Sequence, residues 1–90
     1  MSLERVLKIV NEKGLHARAS AKFVETVERF DAAAEVEKDG MSVSGDSIMG
    51  LLMLAASRGT AITVRTTGAQ AEPLLEALDT LVADCFGEGM

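Results

Sequence analysis

The chain has 90 residues, of which 48% are hydrophobic and 3% aromatic, and its formal net charge is −5. This composition predicts one small domain over residues 1–90 with a largely aliphatic core. The negative charge argues against nucleic acid as a partner, because such interfaces depend on clustered lysine and arginine. A single cysteine, Cys85, excludes an internal disulfide, and with one histidine it leaves no zinc ligand set. We therefore expect neither a metal nor a cofactor.

The N-terminal residues show no sign of a targeting or membrane segment. Charges at Glu4, Arg5 and Lys8 interrupt any signal-peptide core, and no apolar run approaches the length that spans a membrane. We expect a soluble, cytoplasmic, monomeric protein without membrane insertion.

The first half of the chain predicts a strand, a helix and a hairpin. The strand covers residues 5–10, with Leu7 and Ile9 on one face. The helix covers residues 17–30, because apolar residues recur along it at helical spacing, namely Phe23, Val24, Val27 and Phe30. Residues 35–38 and 41–44 flank Asp39-Gly40, a dipeptide that supplies the positive φ angles of a tight hairpin.

A second predicted helix, residues 47–56, has Asp46 or Ser47 as its N-cap and no charged residue from Ile48 to Ala56. A helix that is apolar on all sides is either fully buried or also binds a partner, and full burial is difficult in so small a domain. We assign one side of this helix to the core, namely Leu51, Leu54 and Ala55. The other side is predicted to form an exposed partner-binding patch, namely Ile48, Met49 and Leu52. Simple core packing of both sides is the alternative.

The last third of the chain predicts a strand and a helix. Residues 60–66 alternate between apolar and polar side chains, with Ile62 and Val64 inward. Pro73 fits the first turn of the final helix, whose apolar stripe is formed by Leu74, Leu75, Leu78, Leu81, Val82 and Cys85. The order β-α-β-β-α-β-α predicts an α+β fold, in which three helices cover one face of a four-stranded, mainly antiparallel sheet.

The only histidine, His16, lies between the first predicted strand and the first helix. Backbone N–H groups in the first turn of a helix have no intrahelical acceptor and attract anions, and Arg18 adds a positive charge. The same field opposes an extra proton on the imidazole and favours the neutral, nucleophilic ring. Lys13 and Lys22 bring two further cations to the same segment. This arrangement indicates a histidine that accepts a phosphoryl group.

Two motifs carry a resemblance to a known family: Gly14-Leu15-His16-Ala17-Arg18 and Ser47-Ile48-Met49-Gly50-Leu51-Leu52. With Asp39-Gly40 between them, the sequence from about residue 5 to residue 86 resembles the histidine-containing phosphocarrier family, HPr, of the phosphoenolpyruvate-dependent phosphotransferase system. The resemblance implies an open-faced β-sandwich and a carrier that is not a stand-alone enzyme. His16 would accept a phosphoryl group on Nδ1 from enzyme I and pass it to an enzyme IIA domain, with Ala17 and Arg18 holding the phosphate.

The resemblance also implies regulation at Ser47 through phosphorylation by HPr kinase/phosphorylase, although Asp46 stands where the family often has lysine. The family usually has proline after the arginine of the first motif, whereas this chain has Ala19 and then Ser20. That pair resembles alphaproteobacterial carriers, including the nitrogen-related branch that regulates instead of feeding sugar uptake. The choice between sugar transport and nitrogen regulation stays open at this point.

Two other functions compete with the carrier. A small α+β domain can act as a regulatory module that binds a ligand or partner without phosphotransfer, although no recognisable pocket for a ligand is evident in the sequence. Hydrolase chemistry would need a third group to orient the histidine, and no acidic residue is placed by sequence spacing to do so.

Overall fold

The structure, a computed structural model that describes residues 2–88, contains one four-stranded sheet and three α-helices. The elements follow one another as β1 (Ser2–Lys8), α1 (Ala17–Glu28), β2 (Ala33–Lys38), β3 (Met41–Ser44), α2 (Ile48–Met53), β4 (Ala61–Thr67) and α3 (Ala71–Ala83). A short 3-10 helix, Cys85–Gly87, follows α3. Among the described residues, no helix is long and apolar enough to cross a membrane.

The strands lie in the order β1-β4-β2-β3, and every neighbouring pair is antiparallel. Because successive side chains of a strand point to opposite faces, the register brings Leu7 beside Ile62 and Val36 beside Val64. These four side chains are buried on the face that the helices cover. The predicted α+β sandwich and its element order are confirmed.

The core is almost entirely aliphatic, as the composition predicts. Its largest fully buried apolar side chains come from the sheet, the helices and the C-terminal turn: Ile9, Phe23, Val36, Leu51, Ile62, Val64, Leu74, Leu78, Val82 and Phe86. Burial of one such leucine contributes roughly 1.5–3 kcal/mol of transfer free energy. The helices are therefore held on the sheet mainly by apolar contacts from every part of the chain.

Helix α2 is shorter than the sequence predicts, because it ends at Met53 and Leu54 is its C-cap. Ala55 then adopts a left-handed backbone conformation with φ 51°. Its assignment to the core is wrong, since Ala55 is exposed and Ala56 is buried in its place. Leu51 and Leu54 are buried as predicted.

The final helix also ends earlier than its predicted apolar stripe. Leu74, Leu75, Leu78 and Val82 are buried, whereas Leu81 is only partly buried against the core. Cys85 lies beyond the helix, half-buried, and the fully buried residue of that segment is Phe86. The prediction that Cys85 completes the buried stripe is therefore wrong, because the left-handed turn after α3 brings the next side chain inward.

Gly14 fixes the direction in which the chain enters α1. It has φ +67°, and a Cβ atom at this position would lie 2.5 Å from the carbonyl oxygen of Ala56. The next residue, Leu15, donates its N–H to the same oxygen at 2.9 Å. The loop before α1 thus lies directly against the loop after α2, and only glycine fits both the backbone angle and the space.

We predict that Gly14→Ala destabilises the protein by about 3 kcal/mol, because it adds a backbone clash to the cost of a left-handed alanine. Urea unfolding measures the loss. Gly40→Ala is the matched control: φ is +83° there, nothing lies within 4 Å of an added Cβ, and the expected loss is about 1 kcal/mol. Equal losses in the two variants would show that the contact with Ala56 has no effect.

Candidate functional site

His16 is the N-cap of α1, with an extended backbone (φ −78°, ψ −176°). Its Nδ1 accepts a hydrogen bond from the Arg18 N–H at 3.2 Å. An N-cap side chain satisfies one of the N–H groups that a helix leaves without an intrahelical acceptor. The usual capping residues are serine, threonine, aspartate and asparagine. Here an imidazole takes that position instead, which places a ring nitrogen, with its lone pair, against the positive end of the helix.

The other ring nitrogen of His16, Nε2, lies 2.5 Å from Oε2 of Glu88. A carboxylate only accepts hydrogen bonds, so this contact requires the proton on Nε2. Nδ1 accepts the Arg18 N–H and is therefore the nitrogen without a proton. The two contacts select the same neutral tautomer, in which Nδ1 is the nucleophilic atom.

Sequence spacing places no acidic residue beside His16, and the expectation that none orients the ring is wrong, because Glu88 contacts Nε2. The two residues are 72 positions apart, so no local spacing could pair them. No lysine or arginine follows Arg65, so Glu88 comes from an acidic C-terminal segment and meets the basic residues near His16 at this contact. The only local signal is the Phe86-Gly87 pair before Glu88. An apolar residue followed by glycine is typical of a turn that its apolar side chain holds against the core.

The C-terminal turn brings Glu88 back across α1. Phe86 is fully buried, and its carbonyl oxygen accepts a hydrogen bond from Nζ of Lys22 at 2.7 Å. The backbone is left-handed at three successive residues, with φ 55° at Cys85, 54° at Phe86 and 76° at Gly87. Non-glycine residues adopt this conformation only where surrounding contacts hold it, and here the burial of Phe86 does so.

The Glu88 carboxyl is half-buried and held from two sides. Its Oε1 accepts a hydrogen bond from Nδ2 of Asn11 at 3.1 Å, while Oε2 contacts the His16 ring. Partial burial by itself raises the pKa of Glu88, but the hydrogen bonds from Asn11 and His16 and the positive charges of His16, when it is protonated, and of Lys22 outweigh burial. The pKa of Glu88 is therefore lower than its ordinary value, and the group is a carboxylate at neutral pH.

An open cleft surrounds the ring of His16, whose side chain is 27% exposed. The residues lining the cleft are Glu12, Lys13, His16, Ala17, Arg18, Lys22, Gly87 and Glu88. The predicted site residues His16, Ala17 and Arg18 thus lie together, and Arg18 is exposed. Lys22 lines the cleft too, but its ammonium group already bonds the Phe86 carbonyl. The cleft is open to solvent and large enough for an anion of phosphate size.

Ser47 is the N-cap of α2, and its Oγ accepts the Gly50 N–H at 3.0 Å. The cap predicted from the sequence is thus present, and Asp46 instead accepts a hydrogen bond from the Ser44 hydroxyl.

Helix α2 packs against α1. Its exposed face differs in part from the predicted patch. Ile48 and Met49 are exposed, by 41% and 69%, whereas Leu52 is half-buried. Met53, which lies outside the predicted patch, is 64% exposed. Ile48, Met49 and Met53 therefore form the exposed apolar patch of this helix, and Leu52 is not part of it.

Comparison with known proteins gives consistent matches along the chain. A sequence model described as "PTS HPr component phosphorylation site" matches residues 3–84. Phosphocarrier protein HPr of Neisseria meningitidis serogroup A is 46% identical over 87 residues, covering 97% of this chain and 98% of the relative. Phosphocarrier protein HPr of Cupriavidus necator is 41% identical over the same coverage.

Solved structures agree with these sequence matches. The crystal structure of HPr-C-His from Thermoanaerobacter tengcongensis has a TM-score of 0.93 at 38% identity, covering 98% of this chain and 99% of that one. HPr from Bacillus anthracis has a TM-score of 0.86 at 41% identity, covering 90% and 96%. With a capping histidine at the start of α1 and this agreement along the sequence, the chain belongs to the HPr phosphocarrier family of the phosphotransferase system.

Proposed function

We propose that this protein carries a phosphoryl group on Nδ1 of His16, accepting it from phosphorylated enzyme I and donating it to an enzyme IIA domain in the cytoplasm. Family membership supports phosphotransfer in general, and one observation supports this atom. Nδ1 holds its lone pair at the N-terminus of α1, while Nε2 keeps its proton against Glu88. A nucleophilic nitrogen and a site for an anion therefore coincide.

In the accepting step, the Nδ1 lone pair attacks phosphorus, and the bond from phosphorus to the donor breaks with its electron pair leaving on the donor. The ring keeps its Nε2 proton and becomes a phosphoimidazolium. The carboxylate of Glu88, 2.5 Å from Nε2, faces the positive charge that develops. In the donating step the bonding pair returns to Nδ1, so neither direction requires a proton to enter or leave the ring.

The phosphoryl oxygens would be held by the start of α1. The Arg18 N–H that now bonds Nδ1 loses this acceptor when Nδ1 bonds phosphorus, and it can then donate to a phosphoryl oxygen. The Ala17 N–H also lies in the first turn, and the exposed Arg18 guanidinium lines the same cleft. We assign phosphate binding to Ala17 and Arg18 on these grounds.

We further propose that both protein partners dock on the apolar patch of Ile48, Met49 and Met53 beside the His16 cleft. Helices α1 and α2 pack together, so a partner covering the patch also reaches the ring. Methionine side chains are flexible and suit a surface that must fit an enzyme I and an enzyme IIA in turn.

We predict that phosphoenolpyruvate and a cognate enzyme I produce an acid-labile, base-stable phosphoryl adduct that His16→Ala abolishes. Arg18→Ala slows its formation by roughly 100-fold, because one donor to the transferring group is lost. Quench-flow labelling measures both rates. A stable adduct in His16→Ala, or none in the wild type, would contradict the carrier function and favour a regulatory module.

The same assay, run with sugar-type and nitrogen-type sets of enzyme I and enzyme IIA, tests the branch. Ala19-Ser20 in place of the family's usual proline supports the nitrogen-related branch. Faster phosphorylation by the nitrogen-type set is therefore expected, and preference for the sugar-type set would refute this assignment.

We predict that Met49→Asp raises the Kd for enzyme I about tenfold or more while the protein stays folded, because a charge replaces a central apolar contact. Val6→Asp is the matched control: Val6 is 64% exposed, close to the 69% of Met49, but lies on the uncovered face of the sheet. Calorimetric titration and circular dichroism provide the two measurements. Unfolding of Met49→Asp, or equal weakening by both variants, would count against the patch.

We propose that HPr kinase/phosphorylase modifies Ser47, which would place about −1.5 to −2 charges beside the apolar patch at pH 7. The phosphate would remain at a helix N-terminus, which tolerates it, whereas a partner docked on the patch would not. We predict one phosphate on the wild-type protein and none on Ser47→Ala after incubation with purified kinase and ATP, measured by intact mass. The same mass gain in both proteins, or no gain in either, would contradict this role.

The lowered pKa of Glu88 predicts a pH-dependent stability. The folded-state pKa of Glu88 lies below the ordinary value of 4.5. Its contribution to the free energy of unfolding is therefore complete above pH 4.5 and is lost as the pH falls through the folded-state pKa. Urea unfolding between pH 7 and pH 3 should therefore show a smaller acid loss for Glu88→Gln than for the wild type. Glu25→Gln, an exposed residue outside the described ion pairs, should follow the wild type. Parallel curves for wild type and Glu88→Gln would contradict the assignment.

A further inference from the structure

We propose that Asn11 is a positioning residue, which holds Oε1 of Glu88 so that Oε2 faces Nε2 of His16. This inference rests on the proposed phosphocarrier function, because the tautomer matters for an attack by Nδ1. Asn11 does not touch the ring in the described contacts, and it acts only through Glu88.

Asn11 is fully buried, although its side chain is polar. Both contacts of its Nδ2 are with acceptors: the Gly14 carbonyl oxygen at 2.8 Å and Oε1 of Glu88 at 3.1 Å. The amide can satisfy two acceptors only with its NH₂ group toward them, so Oδ1 points away and finds no partner among the described residues. A buried oxygen without a donor is unfavourable, so the stability of the amide itself does not explain this arrangement.

The Asn11 contact determines which oxygen of Glu88 faces the His16 ring. With Oε1 taken by the amide donor, Oε2 is the atom presented to His16 Nε2. Both oxygens of a carboxylate are acceptors, so the ring must supply the proton from Nε2. Asn11 also bonds the carbonyl of Gly14, and therefore joins the turn before α1 to the C-terminal turn on either side of His16.

The same geometry makes an unusual prediction for Glu88→Gln. The Asn11 donor would hold the glutamine carbonyl oxygen, because the opposite orientation would place two NH₂ groups against each other. The glutamine NH₂ would then face Nε2 and favour a proton on Nδ1, the nitrogen that must attack. When Asn11 is also replaced, the glutamine amide is free to rotate, and its oxygen can again accept the Nε2 proton. Replacing Asn11 should therefore restore part of the Nε2–H tautomer and of the phosphorylation rate that Glu88→Gln loses.

The test compares the wild type, Asn11→Ala, Glu88→Gln and the double variant, each as the full chain. Nitrogen-15 NMR of the His16 ring reads the tautomer, and the rate of phosphorylation by phosphorylated enzyme I reads the function. The wild type and Asn11→Ala should carry the proton on Nε2. Glu88→Gln should shift it toward Nδ1 and slow phosphorylation about tenfold or more, since a wrong tautomer disables a catalytic imidazole. The double variant should regain Nε2–H and react faster than Glu88→Gln alone.

Two further variants separate positioning from folding. Asn11→Leu keeps a side chain of similar size without a donor, and should rescue Glu88→Gln if Asn11→Ala does not fold. Thr66→Val removes another fully buried hydrogen bond, from Thr66 Oγ1 to the Ala71 carbonyl, at the far end of β4. Combined with Glu88→Gln, it should rescue neither the tautomer nor the rate.

The proposal would be overturned if the losses of phosphorylation rate from the two single substitutions added up in the double variant. It would also be overturned if Glu88→Gln, with Asn11 in place, kept an Nε2–H ring. Either result leaves the carrier function intact, because the wild type would still form its adduct. Failure of the wild type to accept a phosphoryl group would instead refute the proposed function, and the ring spectra of the Glu88→Gln variants would still report whether Asn11 sets which end of the residue 88 side chain faces the ring.

Discussion

The site depends on the use of a histidine as a helix cap. An imidazole differs from the usual capping groups in having two nitrogens, so one can contact the helix while the other contacts something else. Here Nδ1 accepts the Arg18 N–H and Nε2 meets the Glu88 carboxylate. The contacts require opposite protonation of the two nitrogens, and together they leave one neutral tautomer with its lone pair where an anion is favoured. The chemistry proposed for the protein follows from this pair of contacts.

The fold maintains both contacts from distant parts of the chain. Gly14 lies against the loop after α2, which sets the start of α1 and hence the backbone of His16. Phe86, buried in the core, holds the turn that returns Glu88 to the ring. Apolar packing, which provides most of the stability of so small a domain, is therefore also what positions the polar site. A change in the core near Gly14 or Phe86 would therefore alter the contacts of the His16 ring.

The sequence allowed the architecture and part of the site to be predicted, because those features have local signatures. Alternation marks the strand that contains Ile62 and Val64, and a glycine turn before His16 marks the start of a helix. Glu88 could not be found in this way, since its approach depends on three left-handed residues and on a core contact far along the chain. The assignment of Ala55 to the core is wrong for a related reason: helical periodicity gives the side of a residue but not where the helix stops, and α2 ends at Met53, three residues before its predicted end.

The two contacts of the ring require that phosphorus bonds Nδ1 and not Nε2. Coupling between phosphorus-31 and nitrogen-15 in the phosphorylated, ring-labelled protein identifies the bonded nitrogen. We expect coupling to Nδ1, with a proton still on Nε2. Coupling to Nε2 would contradict it, because the phosphoryl group would then occupy the place of the Glu88 contact, away from the first turn of α1.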